Sequence, residues 1–593
     1  MQKFLSFKLN YTHNNLQERI FYTIDCDNSQ QHFIKIKVQF PVDENKTIIH
    51  LPSWRPGRYE LGNFAKNIKN FKVFNDQNKA VNFHKINKDS WEISSNETKY
   101  IKIEYQYYAN ELNAGSSYFD EQQLYVNPVN CFLYAEGKEQ FPISLELNIP
   151  ENYTIASSLR QEKNFLFAVN FDELADSPFI CSENLEKQTY SVSDTNFHIW
   201  FNNQLNIPWE RVIDDFRNFT KKQIEDFGEF PVSEYHFLIQ SLPYLAYHGV
   251  EHLKSTVITL GPSYDLFENR YDELLGVSSH ELYHVWNVKS IRPKDLLPYN
   301  FKKENYSELG YIYEGVTTYL GDLYLLKSGV FSLENYLKEL SAQFQKHFDN
   351  PGRFAYSVAL SSYDTWLDGY VPGVPGRKVS IYTEGCLLAF VMDVKIRKAT
   401  NNKRGIEEVM KRLYYNFAQN NNGYTEKDFI ELLENTSGES FKDFFNDYIH
   451  GTISYEAILI DALDFIGLEL IQTPSNSYSE ANLGMKTLHH SNHSLITAIY
   501  PGSPAEIAGL SLGDELIAVN KIKLNNDLDA CLNYFDATSK TLSIFRNGKL
   551  LDITLPEVNR FFYLIHKIHK KVILTPKQEK AIFTWSENNS KIS

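Results

Sequence analysis

The pentapeptide HELYH, from His280 to His284, places the strongest constraint on how this chain can fold. Its two histidines are four residues apart, so they share a face when the segment is helical. On one helix face both imidazoles can bind a single Zn²⁺, and Glu281 can act as general base toward an attacking water. The flanking run VSSHELYHVWNV mixes small, apolar and aromatic residues at helical spacing, which favours a buried helix that Pro293 would end.

The pentapeptide alone is weak support for a metal site. A chain with 17 histidines among 593 residues can contain H-E-x-x-H by chance. A metal-free core helix is the alternative, although a glutamate between two buried histidines is costly there. The choice between them depends on what the rest of the sequence supplies.

A catalytic zinc site needs three protein ligands and an open fourth position, so a third ligand should follow on a second helix. The segment YIYEGVTTYLGDLYLLKSG supplies Glu314. Aromatic and aliphatic residues recur in this segment at helical spacing, and Glu314 borders their stripe. A carboxylate is costly to bury there unless it is paired or binds metal. The alternative is a solvated first turn of the helix.

Further motifs lie in a fixed order around HELYH. LPSWRPGRYELGNFAKNI covers residues 51–68, HGVEHLKS covers 248–255, WNVKSIRP follows HELYH, YEGVTTY contains Glu314, and IYTEGCLLAF covers 381–390. In this order they resemble the motifs of the glycyl aminopeptidase family, zinc peptidases of the thermolysin-like glutamate-zinc clan that carry a PDZ domain. The resemblance implies a zinc cofactor held by the two histidines of HELYH and by Glu314.

The resemblance also implies roles for residues outside the metal site. An aminopeptidase binds a protonated α-amino group, and Glu251 is the expected counter-charge, with Gly249 in the same substrate-binding segment. The following run, LKSTVITL, is predicted to be the edge strand along which an extended peptide pairs. Tyr382, in the Tyr-x-x-Gly element, is the expected donor to the oxyanion. The alternatives are a surface turn for Glu251 and a core-packed ring for Tyr382.

Length, charge and cysteine content limit the number of domains, the kinds of partner and the cellular location that the sequence allows. A chain of 593 residues is too long for one hydrophobic core, and no apolar run is long enough for a membrane span. The net charge of −15 argues against nucleic acid and anionic membranes as partners. Five scattered cysteines without CxxC spacing, and a start without an apolar signal region, predict a cytoplasmic protein whose zinc is not held by cysteine.

The pattern of elements predicts a multidomain α+β protein with four segments. Residues 1–185 contain short alternating runs typical of an all-β domain, a sandwich or a related fold. Residues 186–454 mix strands with helices, as expected of a thermolysin-like mixed α/β catalytic domain. Residues 455–559 form a different module, and 560–593 are a C-terminal segment with one short helix.

The module at 455–559 resembles a PDZ domain through NLGMKT and ITAIYPGSPAEIAGLSLGDELIAV. Backbone amides around Leu483 and Gly484 could bind the C-terminal carboxylate of a peptide partner. A structural PDZ domain with a blocked groove is the alternative. The Gly- and Pro-rich segment 369–377 is predicted to be an irregular loop near the site, either a lid or an inert surface loop.

The sequence thus predicts a zinc-dependent aminopeptidase acting on peptide substrates, and the resemblance implies a preference for small N-terminal residues such as glycine or alanine. One alternative is a zinc endopeptidase or carboxypeptidase with the same metal site, which would cleave N-terminally blocked peptides. The other is a PDZ-centred peptide-binding protein with a vestigial catalytic domain. The intact zinc ligands and base speak against the second alternative.

Overall fold

The computed structural model of the chain describes residues 19–26, 29–96, 98–369, 374–490 and 493–587. The chain divides into two compact units. The first comprises the residues up to Tyr336, Gly352–Ala462 and those from Lys580 on, and the second comprises Leu337–Pro351 and Leu463–Glu579. No helix in the described ranges is long and apolar enough to cross a bilayer. The centre of the loop predicted at 369–377 lies outside the described residues.

The N-terminal part of the first unit is β-rich, as predicted. Its strands are β1 (Ile20–Asp25), β2 (Phe33–Pro41), β3 (Lys46–His50), β4 (Ile68–Asn75), β5 (Phe83–Asn87), β6 (Ser90–Ser94), β7 (Tyr100–Tyr108), β8 (Tyr118–Phe119), β9 (Gln123–Val126), β10 (Tyr134–Ala135), β11 (Ile143–Asn148), β12 (Thr154–Ser157), β13 (Arg160–Glu162), β14 (Phe165–Ala168) and β15 (Phe179–Ser182). Two short helices, α1 (Pro128–Cys131) and α2 (Phe171–Ala175), interrupt them.

These strands form three sheets around one hydrophobic core. The sheet orders are β13-β14-β11-β1-β2-β7-β4, β10-β3-β6-β5 and β12-β15-β9-β8. The sequence of β2, FIKIKVQFP, alternates polar and apolar residues, and its apolar side chains are buried while the polar ones are more exposed. Side chains from all three sheets meet in a single buried cluster, so this part folds around its own core.

A mixed five-stranded sheet follows in the chain. It contains β16 (Leu185–Val192), β17 (Thr195–Asn202), β18 (Glu234–Ser241), β19 (Ala246–Glu251) and β20 (Ser255–Gly261) in the order β16-β17-β18-β20-β19. The prediction that LKSTVITL is the edge strand is wrong, because β20 pairs with both β18 and β19. Every residue of β20 is buried, as is typical of an interior strand. The two edge strands are β16 and β19, and β19 ends at Glu251.

Helices follow this sheet. They are α3 (Trp209–Phe227), between β17 and β18, and then α4 (Tyr271–Tyr283), α5 (Thr317–Lys327), α6 (Leu333–Asp349), α7 (Val358–Tyr363), α8 (Thr365–Asp368), α9 (Ile381–Ala399), α10 (Ile406–Asn416), α11 (Glu426–Ser437), α12 (Lys442–Phe444) and α13 (Glu456–Phe465). A π-helical turn, Tyr311–Val316, leads into α5.

The helix that carries HELYH ends earlier than predicted. It stops at Tyr283 instead of continuing to Pro293. The chain leaves the helical path beyond His284, and Val288 has a φ of 96°, a region that β-branched residues rarely enter. A local conformation of this kind is maintained by tertiary contacts and not by the sequence pattern, so periodicity could not locate it.

The second unit contains a small antiparallel sheet and short helices. Its elements after α13 are β21 (Leu468–Pro474), α14 (Tyr478–Ala481), β22 (Met485–His490), β23 (His493–Ile499), α15 (Pro504–Ile507), β24 (Glu515–Val519), β25 (Ile522–Lys523), α16 (Leu528–Tyr534), β26 (Thr541–Arg546), β27 (Lys549–Thr554) and β28 (Leu564–Lys570). The main sheet has the order β22-β23-β24-β26-β27, and β21 pairs with β28. The last helix, α17 (Pro576–Ser586), confirms the short helix predicted near the C-terminus.

Candidate metal centre and substrate site

The structure brings His280, His284 and Glu314 together at one point. The Nε2 atoms of the two histidines are 3.0 Å apart. Glu314 Oε2 lies 3.4 Å from His284 Nε2 and 3.9 Å from His280 Nε2. The side chains of His284 and Glu314 are each 2% exposed, whereas that of His280 is 19% exposed. The three side chains are therefore largely buried, and His280 is the most exposed of them.

Glycines allow the elements that carry these residues to approach closely. A Cβ atom at Gly321 in α5 would lie 3.0 Å from the His280 Cα, so α4 and α5 are nearly in backbone contact. A Cβ at Gly385 in α9 would lie 2.7 Å from the Cα of Gly315 in the π-helical turn. Because no side chain intervenes, Glu314 and the start of α9 reach the same site.

A backbone carbonyl fixes the orientation of His284. Its Nδ1 lies 2.8 Å from the carbonyl oxygen of Asn287, which can only accept a hydrogen bond, so Nδ1 carries the proton. The Nε2 lone pair is then free to bind a metal. The Asn287 side chain is held in turn by bonds to the Ile312 carbonyl and to Thr317 Oγ1, both 3.0 Å long.

The donor set fits zinc. Bonds of 2.0–2.1 Å in a tetrahedron put ligand atoms about 3.3 Å apart, close to the three separations found here. Burial disfavours the charged form of His284, but the neighbouring Glu314 outweighs burial and raises the pKa of His284 to about 10. Burial, followed by His284, lowers the pKa of His280. Glu314 thus favours positive charge at His284, as a bound cation would require, whereas burial disfavours it at His280.

Glu281 lies beside this centre, facing Gly249 of β19. A Cβ atom at Gly249 would collide with the Glu281 carboxylate and lie 2.7 Å from Val277. Burial, together with Glu251 and Glu314, raises the pKa of Glu281 well above its ordinary value, although His284 opposes the shift. Its Oε2 atom is buried without a hydrogen-bond partner in the described part of the chain. A buried carboxylate with raised basicity suits proton abstraction.

Glu251 ends β19 next to Glu281. Single ligand atoms from Glu251, Glu281 and His284 all lie within 4.8 Å of one another. Glu251 is buried, and among the described residues its Oε1 has no hydrogen-bond partner. A Cβ at Gly57 would collide with the same carboxylate, so the loop from the N-terminal part closes this end of the site. Glu251 is thus a buried carboxylate, adjacent to Glu281, with one oxygen that has no hydrogen-bond partner among the described residues.

Tyr382 lies beside His280 and Glu314. It is the second residue of α9, whose first turn is capped by the Ser380 side chain accepting from the Thr383 amide. The Tyr382 ring centre is 6.5 Å from that of His280, and its hydroxyl hydrogen-bonds the Glu314 carboxylate. The Tyr382 hydroxyl is therefore at the edge of the metal centre.

The sequence did not indicate how the loop of residues 51–68 contributes to the site. Arg55 is buried and lowers the pKa of His248 in β19, together with burial and Arg58. The Tyr59 ring centre lies 5.1 Å from that of Tyr313, which precedes Glu314. The sequence singles out the motif at residues 51–68. Its position near His248 and Tyr313 depends on packing between distant parts of the chain, which the sequence does not reveal.

Asp176, just after α2, is a second contribution from the N-terminal part. Its carboxylate accepts from Lys289 Nζ at 2.7 Å and from the Leu253 amide at 2.9 Å, and lies 3.1 Å from His252 Nδ1. Burial opposes its charged form, but Lys289 and His252 lower the pKa of Asp176. Asp176 therefore joins the residues after Glu251 to the segment that follows His284. No sequence pattern pointed to it.

A second group of potential ligands, His198, Glu234 and His236, borders a cavity of 690 Å³. The Trp200 indole donates to His236 Nδ1 at 3.2 Å, so the neutral His236 ring carries its proton on Nε2. After burial, Lys187 contributes to lowering the pKa of both histidines. A metal ion here would face the protonated Nε2 of His236 and the ammonium group of Lys187. These three residues are therefore a poorer metal site than His280, His284 and Glu314.

The chain is similar to peptidase domains in two places. Residues 21–183 match the Peptidase M61 N-terminal domain, and residues 273–388 match the M61 glycyl aminopeptidase domain. These two regions are therefore similar to the N-terminal and catalytic domains of M61 peptidases, and this similarity supports peptidase activity. No curated protein matches the chain.

One solved structure shares the fold of this chain, and a second has a lower similarity. The aminopeptidase N family protein from Idiomarina loihiensis is 24% identical, with a TM-score of 0.87 over 95% of this chain and 99% of that chain. An M1 zinc metallopeptidase from Deinococcus radiodurans, solved as a variant bound to a Tyr-Ser-Ala substrate, is 12% identical, with a TM-score of 0.46 over 74% of this chain and 94% of that chain.

Proposed function

We propose that this chain is a zinc-dependent aminopeptidase that removes N-terminal residues, preferentially small ones such as glycine or alanine, from peptides. The observation that carries the proposal is the position of Glu251. Its buried carboxylate lies beside Glu281 at the closed end of the site, where the α-ammonium group of a peptide would place the first peptide bond near the base.

His280, His284 and Glu314 would hold the zinc ion. Bound zinc would polarise the scissile carbonyl and make the attacking water more acidic. Glu281 takes the proton from that water and can pass it to the leaving amine. Tyr382 donates a hydrogen bond to the oxygen on which negative charge develops. Glu251 keeps the α-ammonium group in place during both steps.

The closed end of the site supports an exopeptidase over an endopeptidase. An endopeptidase needs room for residues on both sides of the scissile bond. Here a Cβ atom at Gly57 would already collide with Glu251, and Gly57 has a φ of 79°, so it tolerates side chains poorly. The preference for small residues is supported by the similarity of residues 273–388 to the M61 glycyl aminopeptidase domain.

We also propose the four segments 1–185, 186–454, 455–559 and 560–593 as domains, with the third a PDZ domain. Its edge strand β22 and the φ of 66° at Gly484 support this assignment. The Gly484 amide donates to the Glu480 carbonyl at 3.2 Å, and a Cβ at Gly484 would lie 3.1 Å from the Phe562 ring. These contacts favour a groove that is blocked by the chain itself.

The proposal is tested by comparing free and N-acetylated alanyl peptides as substrates of wild type and Glu251→Gln. Wild type should cleave the free peptides and leave the acetylated ones nearly intact. The variant keeps the shape of the side chain but loses its charge, so kcat/KM for free peptides should fall about 100-fold. The measurement is the initial rate of release of the N-terminal residue.

Glu234→Gln is the matched control, because Glu234 is an exposed glutamate on the same sheet. It should retain the wild-type preference for a free amino group. If wild type cleaves acetylated peptides as fast as free ones, the chain is an endopeptidase and the proposal is wrong.

A further inference from the structure

One end of the five-stranded sheet carries a group of exposed apolar side chains. Three belong to the turn between β18 and β19 and to the start of β19, and two belong to neighbouring loops. They are Tyr244, Leu245, Tyr247, Leu205 and Tyr264, which are 55%, 70%, 58%, 78% and 81% exposed. We name these five residues the apolar rim. Single exposed apolar residues are common, but a group from three adjacent loops is typical of a binding surface.

Hydrogen bonds connect the loops of the apolar rim. Gln204 Nε2 donates to the carbonyl of Leu205 at 3.0 Å and to that of Ser263 at 3.2 Å. The Ser263 amide donates to the Leu242 carbonyl at 2.7 Å. The loop after β17, the loop after β20 and the β18–β19 turn are thereby held together. The five side chains thus belong to one continuous part of the surface.

The edge strand β19 leads from the apolar rim to the proposed amino-group site. Tyr247 is near its beginning, Gly249 lies against Glu281, and Glu251 is its last residue. A peptide whose α-amino group contacts Glu251 cannot extend beyond the end closed by Gly57. Its chain must therefore run back along β19, antiparallel to the strand, toward Tyr247.

We infer that the apolar rim binds the third to fifth residues of the peptide substrate and favours apolar side chains there. Peptide and strand both advance about 3.3 Å per residue, so residues after the scissile bond pass Gly249 and then reach Tyr247 and the turn beyond it. The preferred substrates are peptides of four or more residues that begin with a small residue and continue with an apolar one. This inference rests on the proposed aminopeptidase function.

The test measures kcat/KM for Ala-Ala, Ala-Ala-Ala-Ser-Ser and Ala-Ala-Ala-Phe-Leu. In wild type, kcat/KM for Ala-Ala-Ala-Phe-Leu should be about ten times that for Ala-Ala-Ala-Ser-Ser, because binding partly buries one aromatic side chain. In Tyr244→Ser/Leu245→Ser this ratio should fall close to one. The control is Tyr534→Ser/Ile573→Ser, at residues that are 80% and 85% exposed in the second unit, which should keep the wild-type ratio.

A wild-type ratio near one, or an equal loss of the ratio in the control variant, would overturn the inference. So would light scattering that shows a wild-type dimer and a monomeric Tyr244→Ser/Leu245→Ser variant with the ratio unchanged, because the apolar rim would then pair two copies. Failure of the aminopeptidase proposal is distinguishable, since wild type would then release N-terminal alanine from none of the three peptides.

Discussion

Glycines lie against the two proposed catalytic-site carboxylates, Glu281 and Glu251. Glu281 has room beside β19 because position 249 is a glycine, and Glu251 has room because position 57 is a glycine. Alanine at either position would meet a carboxylate oxygen directly. The positions of the two carboxylates therefore depend on the two glycines, because any side chain there would occupy the space of a carboxylate.

Replacing Glu281 by glutamine tests its role as the base. The amide cannot accept a proton, so kcat should fall by about 10³-fold or more. Glu281 is not among the three ligands, so zinc content, measured by atomic absorption after dialysis, should match that of wild type. A variant with normal zinc content and normal turnover would exclude Glu281 as the base.

At the residue scale, the sequence predicted which residues of HELYH would lie together with Glu314, and their roles as metal ligands and base stay predictions. His280, Glu281 and His284 are fixed by helical spacing, which is a local property. Glu251 and Tyr382 could be named only through the resemblance, because no local rule places them near zinc. Asp176 and Arg55 gave no usable signal, since their roles depend on contacts across more than 70 residues.

At the scale of elements, Asp176 links the β19–β20 turn to the segment after α4. Lys289, whose side chain is 2% exposed, relies on Asp176 as its counter-charge. Asp176→Asn leaves that cation without a full partner and should reduce the free energy of unfolding by about 3 kcal/mol. Urea denaturation of wild type and variant measures the difference.

The double variant Asp176→Asn/Lys289→Met is the control for this prediction. It removes the unpaired cation, so it should regain most of the stability lost in the single variant. If the single variant is as stable as wild type, or if the double variant is the less stable of the two, the ion pair does not have this role.

Some strands and helices were predicted correctly, and others were not. Strand alternation gave the β-rich N-terminal part, and helical spacing gave the helix that carries HELYH. The edge strand was assigned to LKSTVITL instead of β19, because an apolar run does not reveal which neighbours it pairs with. The end of α4 was placed too late, because the φ of 96° at Val288 has no sequence signal.

For the whole molecule, buried histidines predict a loss of stability in acid. Burial and then Lys187 lower the pKa of His198 from 6.5 to about 4, and the pKa of His236 is lowered further. The unfolded chain therefore binds protons more readily than the folded one below pH 6.5. Stability is fully present above that pH and is lost as the pH falls toward 4.

His198→Gln should reduce this loss by about 1 kcal/mol once solvent screening is allowed for. The measurement is the thermal midpoint of wild type and variant between pH 7 and pH 4. The two curves should diverge as the pH is lowered, with the variant losing less. Parallel curves would show that His198 does not contribute to the acid sensitivity.

The sequence by itself determined the chemistry of the centre, since HELYH fixes two histidines and a carboxylate on one helix wherever that helix lies. It also determined the β-rich character of the N-terminal part through residue alternation. Tertiary structure decided that Gly57, Arg55 and Asp176 lie close to residues of the proposed site and that β19 is an edge strand. These features come from packing between segments far apart in the chain, and the free energy of such packing depends on the whole fold and not on any local pattern.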